Sequence, residues 1–584
     1  MSRVLERCFH ARGDAWPALL FVLLGALGVA GFWDAATLHG GYAIESRSIR
    51  GLPPREVHFL FWYAVWGTFS AAMFGAAFAR TKLVPAVTAF LRDEERGPKL
   101  VVLGGGFVFF VALGLRHGLL QDQPVTDDEG AYDFIAQTLL RGRIVNPLPE
   151  GDPAYFANQF IVIGESGWFG KYALGHGVLL APFALIGRLD LAGPLFAVGT
   201  YAAAWFVGRA FFGPRRAVLG AALLALSPHF LATHATRLSQ TSSGLALLLA
   251  LLGALHLTSR GGRGAAALTG LALAAGVIIR PLPGGLFVVL VGAALFLMGR
   301  LRALPTERRV PFDELALMAL VASLGVAGVL ATNHVQSGSI GASGYDTLHG
   351  GVGGFHNIDG AIANSIAGAL VRENVWLFGW SLSLVFLPFA RPRRAPALFW
   401  AGLVALLIYR LVFPKTVVST TGPIYLTEGV PLLAYATADG MGRARLALKD
   451  RGRWVGALAL AGFLVGAVTF WPVVWRAISA GASQRAAVLD RLPERDVLVF
   501  ANLLMRPEES RSWAVYPPVP GPALNDPRVF LRVDTQPGGT ARAWQLWRAR
   551  FPDRRAFFFA PLPGGRFAFT EWDPAAPPGP SDGS

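Results

Sequence analysis

A single cysteine, Cys8, stands in 584 residues. It excludes an internal disulfide and a cysteine-based metal cluster. Charge is also scarce: 15% of residues are Asp, Glu, Lys or Arg, against about 25% in soluble domains. Only five of the 52 basic side chains are lysine, and arginine supplies the rest. There is no Gly-x-x-x-x-Gly-Lys-(Ser/Thr) stretch, and no Gly-x-Gly-x-x-Gly opens a helix after a strand, which argues against ATP-driven pumping by this chain.

What is abundant is apolar sequence. Hydrophobic residues make up 53% of the chain, and several runs reach the 18 or so residues needed to cross about 30 Å of hydrocarbon. This is the pattern of a polytopic membrane protein. The formal charge of +15 then reads as topology, because basic residues collect in cytoplasmic loops.

The N-terminus carries Arg3, Arg7 and Arg12 before an apolar run from Trp16 to Trp33. That run is long for a signal-peptide core and lacks an Ala-x-Ala exit, so it is expected to be an uncleaved anchor. Further runs lie near 58–79, 100–120, 173–187, 191–212, 217–234, 241–258, 265–279, 283–299, 314–333, 374–390, 397–413, 424–438 and 454–475. Basic clusters at 80–99, 209–216, 260–263, 300–309, 391–394 and 443–453 fall on one side if a single early segment does not cross. The segment 173–187, short and holding Gly175, Gly177 and Pro182, is the expected exception. This gives thirteen crossings, an inner-membrane location, a cytoplasmic N-terminus, and the long loops 121–172 and 334–373 outside.

The expected organisation is a two-helix membrane extension (1–99), a transmembrane catalytic module (100–475), a small α/β domain outside the membrane (476–573) and a disordered tail (574–584). In the α/β domain, Val497–Ala501 and Ala556–Ala560 look like strands. Thr540–Phe551 has helical spacing, and Pro-Gly-Gly at 563–565 can turn a hairpin into Phe567–Trp572.

The loop 121–172 holds eight acidic and three basic residues. It contains Thr126-Asp127-Asp128-Glu129-Gly130-Ala131-Tyr132-Asp133-Phe134-Ile135-Ala136. Thr126 with Glu129 reads as a capping box, and acids in a first turn suit the helix dipole. Capping does not require Asp127 and Asp128 as well. Carboxylates at a membrane boundary are costly against lipid and useful in a polar cleft.

The order of motifs resembles the GT-C superfamily of polytopic glycosyltransferases that use polyprenyl-phosphate sugars. The resemblance is to protein O-mannosyltransferases and lipid A aminoarabinose transferases. It rests on Asp128-Glu129, Tyr132, Ala136 and Leu139-Leu140-Arg141-Gly142; on Lys171-Tyr172-Ala173-Leu174-Gly175-His176-Gly177, which lacks the family's two prolines; on Ser227-Pro228 and Ile279-Arg280-Pro281; and on Gly422-Pro423-Ile424-Tyr425-Leu426, where isoleucine replaces an arginine. It covers about 100–440.

The resemblance implies that Asp128 is the general base that deprotonates the acceptor, with Asp127 and Glu129 as alternates that orient the acceptor or bind a divalent cation. No paired ligand elsewhere in the sequence supports a metal. For the donor phosphate the candidates are Arg280, expected at the outer end of the 265–279 helix with prolines breaking the helix beyond it, and Lys171. His176, Tyr132, Arg237, Arg372 and His356 complete the substrate-binding set. A snorkelling interfacial arginine is the competing reading of Arg280. The glycine-rich loop 334–373 suits either a mobile substrate-contacting loop or a plain connector. A polyprenyl-linked glycan flippase and an O-antigen ligase-like enzyme are the competing functions. A flippase would be expected to carry charge inside the membrane, and a ligase to rely on basic outer loops, whereas here the densest external charge is acidic.

Overall fold

The structure is a computed structural model. It describes residues 14–38, 54–92, 97–124, 126–156, 158, 160–300, 308–349, 361–412, 422–501, 518–533, 538–562 and 566–576. His356, the glycine tract 350–354 and the hairpin turn 563–565 lie outside these.

Among the described residues eight helices are long and apolar enough to cross a membrane: Ala15–Thr37, Glu56–Phe78, Gly97–Leu119, Leu189–Phe212, Ser239–Ser259, Pro281–Met298, Phe312–Ser337 and Lys449–Leu489. A ninth arises if the bent pair Pro214–Ala225 and Pro228–His234 counts as one span. The 58° bend follows from local chemistry. Ser227 caps the second helix by accepting a hydrogen bond from the Phe230 N–H (3.3 Å), and Pro228 takes its first position, where a missing N–H costs nothing.

Two expectations are corrected here. The run 374–390 is helical only to Trp376, where the helix Ala361–Trp376 gives way to turns. Asn374 binds this turn, accepting the Leu384 N–H (2.9 Å) and donating to the Ser381 carbonyl. Pro281 and Pro283 do not break the helix after Arg280. They open the helix Pro281–Arg300, because proline is tolerated in a first turn whose N–H groups have no intrahelical partner.

The chain divides into two compact units. The first comprises 1–116, 193–326 and 357–478, and the second comprises 117–192, 327–356 and 479–584. These cuts differ from boundaries at 99 and 475, since the acidic loop groups with the C-terminal residues. In the first unit, Ser239–Ser259 packs on Arg263–Ile279, and Pro214–Ala225 packs on Val430–Ala447. Gly208 and Gly220 make room for the buried Tyr435 ring.

Among the described residues the second unit has six strands. β1 (Ile161–Gly164) and β2 (Gly167–Gly170) form an antiparallel hairpin. β3 (Val497–Ala501), β4 (Arg528–Arg532), β5 (Arg555–Leu562) and β6 (Arg566–Glu571) form a sheet in the order β4-β3-β5-β6. β3 pairs in parallel with β4 and β5, and β6 closes the edge antiparallel to β5. All five β3 residues are buried, as a central strand covered on both faces requires. The helix Gly539–Arg550 lies between β4 and β5 in the chain. Trp572 stacks on Phe500 and Phe558 at centroid distances of 4.9 and 6.2 Å. The sheet packs on the acidic loop through Tyr155, whose ring meets Phe500 edge-on at 6.4 Å.

Candidate functional site

In the second unit the helix Asp127–Leu140 begins after Thr126, whose extended backbone (φ −138°, ψ 160°) makes it the N-cap. The expected capping box does not form. The Thr126 side chain makes no cap hydrogen bond. Asp127, Asp128 and Glu129 occupy the first turn, where N–H groups lack intrahelical acceptors and negative charge is favoured.

Asp128 is half-buried and Glu129 fully buried. The Tyr172 hydroxyl donates to Asp128 Oδ1. Burial pushes the Asp128 carboxyl above its ordinary value, and the Lys171 ammonium opposes that rise. Lys171 is itself buried, and aromatic faces surround its ammonium. Nζ lies 3.5 Å from the Phe160 ring centroid, 4.6 Å from that of Tyr345 and 4.9 Å from that of Tyr172. Such contacts stabilise a desolvated cation by about 2 kcal/mol or more.

Tyr132, one turn beyond Asp128, stacks on Tyr172 at 4.6 Å and meets His176 edge-on at 4.7 Å. His176 is fully buried on the helix Leu174–Leu185. At about 1.5 Å per residue this 12-residue helix is about 18 Å long, shorter than the hydrocarbon layer. Gly177 lets it approach the acidic helix, and Gly170, at the end of β2, does the same for that strand. A Cβ on Gly170 would sit 2.6 Å from Ile135 Cγ1, and one on Gly177 would overlap the same side chain. The unit thus gathers Asp128, Glu129, Tyr132, Lys171 and His176, together with Phe160, Tyr172 and Tyr345, which were not among the expected site residues. Tyr172 was legible as part of the Lys171 motif. Tyr345, from the helix Gly344–His349, had no local signal.

Among the described residues no group of three His, Cys, Asp or Glu side chains is arranged to hold a metal. The positive charge beside Asp128 is Lys171.

The first unit holds the arginine candidates. Arg280 ends the helix Arg263–Ile279. Its Nη1 donates to Glu428 and its Nη2 to the Tyr409 hydroxyl (2.8 Å), and its side chain is 11% exposed. The guanidinium lies over the rings of Tyr409 and Tyr425, 5.3 and 5.9 Å from their centroids. Arg372 is not a loop residue. It sits on the helix Ala361–Trp376 and grips Glu56 with two bonds of 2.8 and 2.6 Å, both side chains buried. Arg237 is buried in the turn before Ser239–Ser259.

A further buried group in this unit was not anticipated. His229 Nδ1 lies 3.2 and 3.0 Å from the two Glu373 oxygens, and Nε2 lies 3.0 Å from Thr427 Oγ1. Glu373, Thr427 and Glu428 are all buried. Their sequence signal was acids within otherwise apolar stretches. Ile424 is also buried.

No protein-family profile matches the chain, and no curated protein matches it. Solved structures do. One is ArnT from Cupriavidus metallidurans bound to undecaprenyl phosphate, 15% identical over 79% of this chain and 92% of that one, with a TM-score of 0.47. The same protein in its apo state gives 14% identity over the same shares and a TM-score of 0.48. The oligosaccharyltransferase AglB from Archaeoglobus fulgidus, in complex with an inhibitory peptide and a dolichol-phosphate, is 14% identical over 82% of this chain and 75% of that one, with a TM-score of 0.39.

Proposed function

We propose that the chain is a membrane glycosyltransferase that moves a sugar from a polyprenyl-phosphate donor to an envelope acceptor. The observation that carries this reading is Asp128, a partly buried carboxyl at a helix N-terminus, touched by the Tyr172 hydroxyl and offset by Lys171. A carboxyl whose affinity for protons is raised by burial is suited to general-base work. Asp128 takes the proton of the acceptor hydroxyl as that oxygen attacks the anomeric carbon. The sugar–phosphate bond breaks and the phosphate leaves with the bonding pair. The leaving group needs positive charge rather than a proton, and Lys171, beside Asp128, is the cation assigned to it. Arg280 offers a planar fork held by Tyr409 and Glu428, suited to two phosphate oxygens.

Tyr132 and His176 line the base, and Glu129 supports its helix. The cation-binding alternative for Asp127, Asp128 and Glu129 is weakened by Lys171, whose ammonium already supplies positive charge at Asp128. Transfer is therefore expected to survive a chelator. The topology that goes with this function has thirteen crossings. Beyond the eight long helices and the bent pair it uses Arg263–Ile279, Ala361–Trp376, Pro396–Val412 and Val430–Ala447. The N-terminus is cytoplasmic and the C-terminal sheet lies outside the inner membrane.

Two experiments test the proposal. The first compares envelope glycolipids and glycoproteins by mass spectrometry with and without this chain. One missing sugar substituent is expected, and unchanged profiles overturn the assignment. The second places cysteine at Glu165 or Arg309 in a cysteine-free background. An impermeant thiol reagent should label the first in intact cells and not the second, and the reverse pattern overturns the orientation.

A further inference from the structure

Gly130 sits inside the helix Asp127–Leu140, two residues after Asp128. A glycine there costs about 1 kcal/mol against alanine, and what it makes room for comes from far along the chain. A Cβ on Gly130 would lie 2.7 Å from Val519 Cγ2 and 3.0 Å from Val519 Cβ. Two turns further on, a Cβ on Gly521 would lie 2.7 Å from Gln137 Oε1. Residues seven apart share a helix face, so residues 519–521 run along one stripe of the acidic helix. Asp526 fixes their course by accepting the Gly521 N–H (2.6 Å). Val519 lies between β3 and β4 in the chain.

The entry to the helix is held from the same part of the sequence. Buried Arg485 donates to the Pro124 carbonyl (2.9 Å), and Gln121 donates to the Ser483 hydroxyl (2.8 Å). Gln121 and Asp122 both have positive φ, 49° and 58°, which non-glycine residues keep only where their surroundings hold them. All of these residues belong to the second unit.

Asp128 and Tyr132, one turn apart, face Tyr172 and His176. Gly130 is two residues from Asp128, about 200° around the helix axis. Val519 therefore bears on the side away from Tyr172. We infer that residues 519–521 are the back wall of the base, and that Val519, seated on Gly130, is a positioning residue that holds Asp128 against Tyr172 and Lys171. The inference rests on Asp128 being the base, and it gives the C-terminal sheet domain a part in the catalytic geometry.

The test moves a methyl group across this contact. Gly130→Ala suits the helix but collides with Val519. Rotation of the valine does not relieve the collision, because its Cβ is one of the colliding atoms and its χ1 is stiff. Carbon atoms pack at about 3.5–4.0 Å, so the helix must shift by up to about 1 Å. Release of polyprenyl phosphate from a synthetic polyprenyl-phosphate sugar is measured in membranes containing the full chain. For Gly130→Ala, kcat should fall by up to about 10²-fold. Donor KM should stay near wild type, because Lys171 is not on the displaced helix, and so should the thermal midpoint of the purified protein. Val519→Gly removes both colliding atoms, and the next, the Val519 backbone nitrogen, is 3.8 Å away. Gly130→Ala combined with Val519→Gly should therefore recover most of the lost kcat.

Asp128→Asn is assayed alongside. An active Asp128→Asn overturns the base, and this inference with it. An inactive Asp128→Asn beside a Gly130→Ala that turns over like wild type overturns the positioning role alone. So does a loss in Gly130→Ala that Val519→Gly fails to restore, or one that appears in donor KM instead of kcat. Should Gly130→Ala aggregate, Val519→Gly by itself decides: it opens a gap behind the base and should lower kcat with donor KM unchanged, and an unchanged kcat overturns the inference.

Discussion

Asp128→Asn separates chemistry from stability, because the two should move in opposite directions. Asparagine keeps the size of the side chain and an acceptor for the Tyr172 hydroxyl, but it cannot take a proton. Loss of a general base costs on the order of 10²–10⁴ in rate, or about 3–5 kcal/mol of transition-state stabilisation. The stability effect has two parts. Losing a carboxylate from a helix N-terminus costs about 0.3–1 kcal/mol. Against this, burial is the largest influence on Asp128 and raises its proton affinity despite Lys171. A group whose folded value is raised contributes stability that is full below its unfolded value and is lost as pH rises through the folded one. As pH rises through that folded value, the wild-type protein takes on the cost of an ionised, desolvated carboxylate, and the asparagine variant does not.

The net expectation is an unfolding midpoint equal to or above wild type at neutral pH, with the difference shrinking at acid pH. The assay measures release of polyprenyl phosphate from a synthetic polyprenyl-phosphate sugar, alongside thermal unfolding in detergent across pH. A variant that keeps more than a tenth of wild-type turnover refutes Asp128 as the base. A variant that is active and melts lower at every pH shows that the acidic turn serves its helix.

Tyr172→Phe removes a donor to the Asp128 carboxylate, so the acid limb of the pH–rate profile should move upward, with activity recovered in alkaline buffer; an unmoved limb refutes the contact's role. Glu428→Gln leaves Arg280 its charge but loosens its fork, and since hydrogen bonds to charged groups contribute about 1.5–3 kcal/mol, donor KM should rise by about ten-fold or more with little change in unfolding. Arg372→Ala strands Glu56 in a buried site and should cost about 3–5 kcal/mol, read as a lower thermal midpoint; adding Glu56→Gln should restore part of it.

The sequence reported the fold where the signal was local. Val497–Ala501 is a strand because five buried apolar residues run together, and Gly539–Arg550 is a helix because Trp544, Leu546 and Trp547 have helical spacing. β4 was missed, since the short Arg528–Arg532 run is strand-like only beside β3. Of the site, the acidic turn and the Lys171 motif were legible. Their long-range partners were not: Tyr345 reaches Lys171 from far along the chain, and Glu56 and Arg372 are 316 residues apart. Such pairings carry no periodicity, and only closure of the chain brings them together.

Gly170 and Gly177 bracket Lys171 and Tyr172, and both face Ile135 on the helix that begins at Asp127. The gaps between that helix and its two neighbours, β2 and the helix Leu174–Leu185, are therefore calibrated by missing matter. A single methyl group at either glycine acts as a shim. It would lift the helix Asp127–Leu140 off β2 (at Gly170) or off the helix Leu174–Leu185 (at Gly177) by a fraction of its own width, carrying Asp128 away from Tyr172 and Lys171 without altering any group that reacts. Because misplacement by about 1 Å can cost 10²-fold in rate, the two positions with no side chain set the mechanical tolerance of the base.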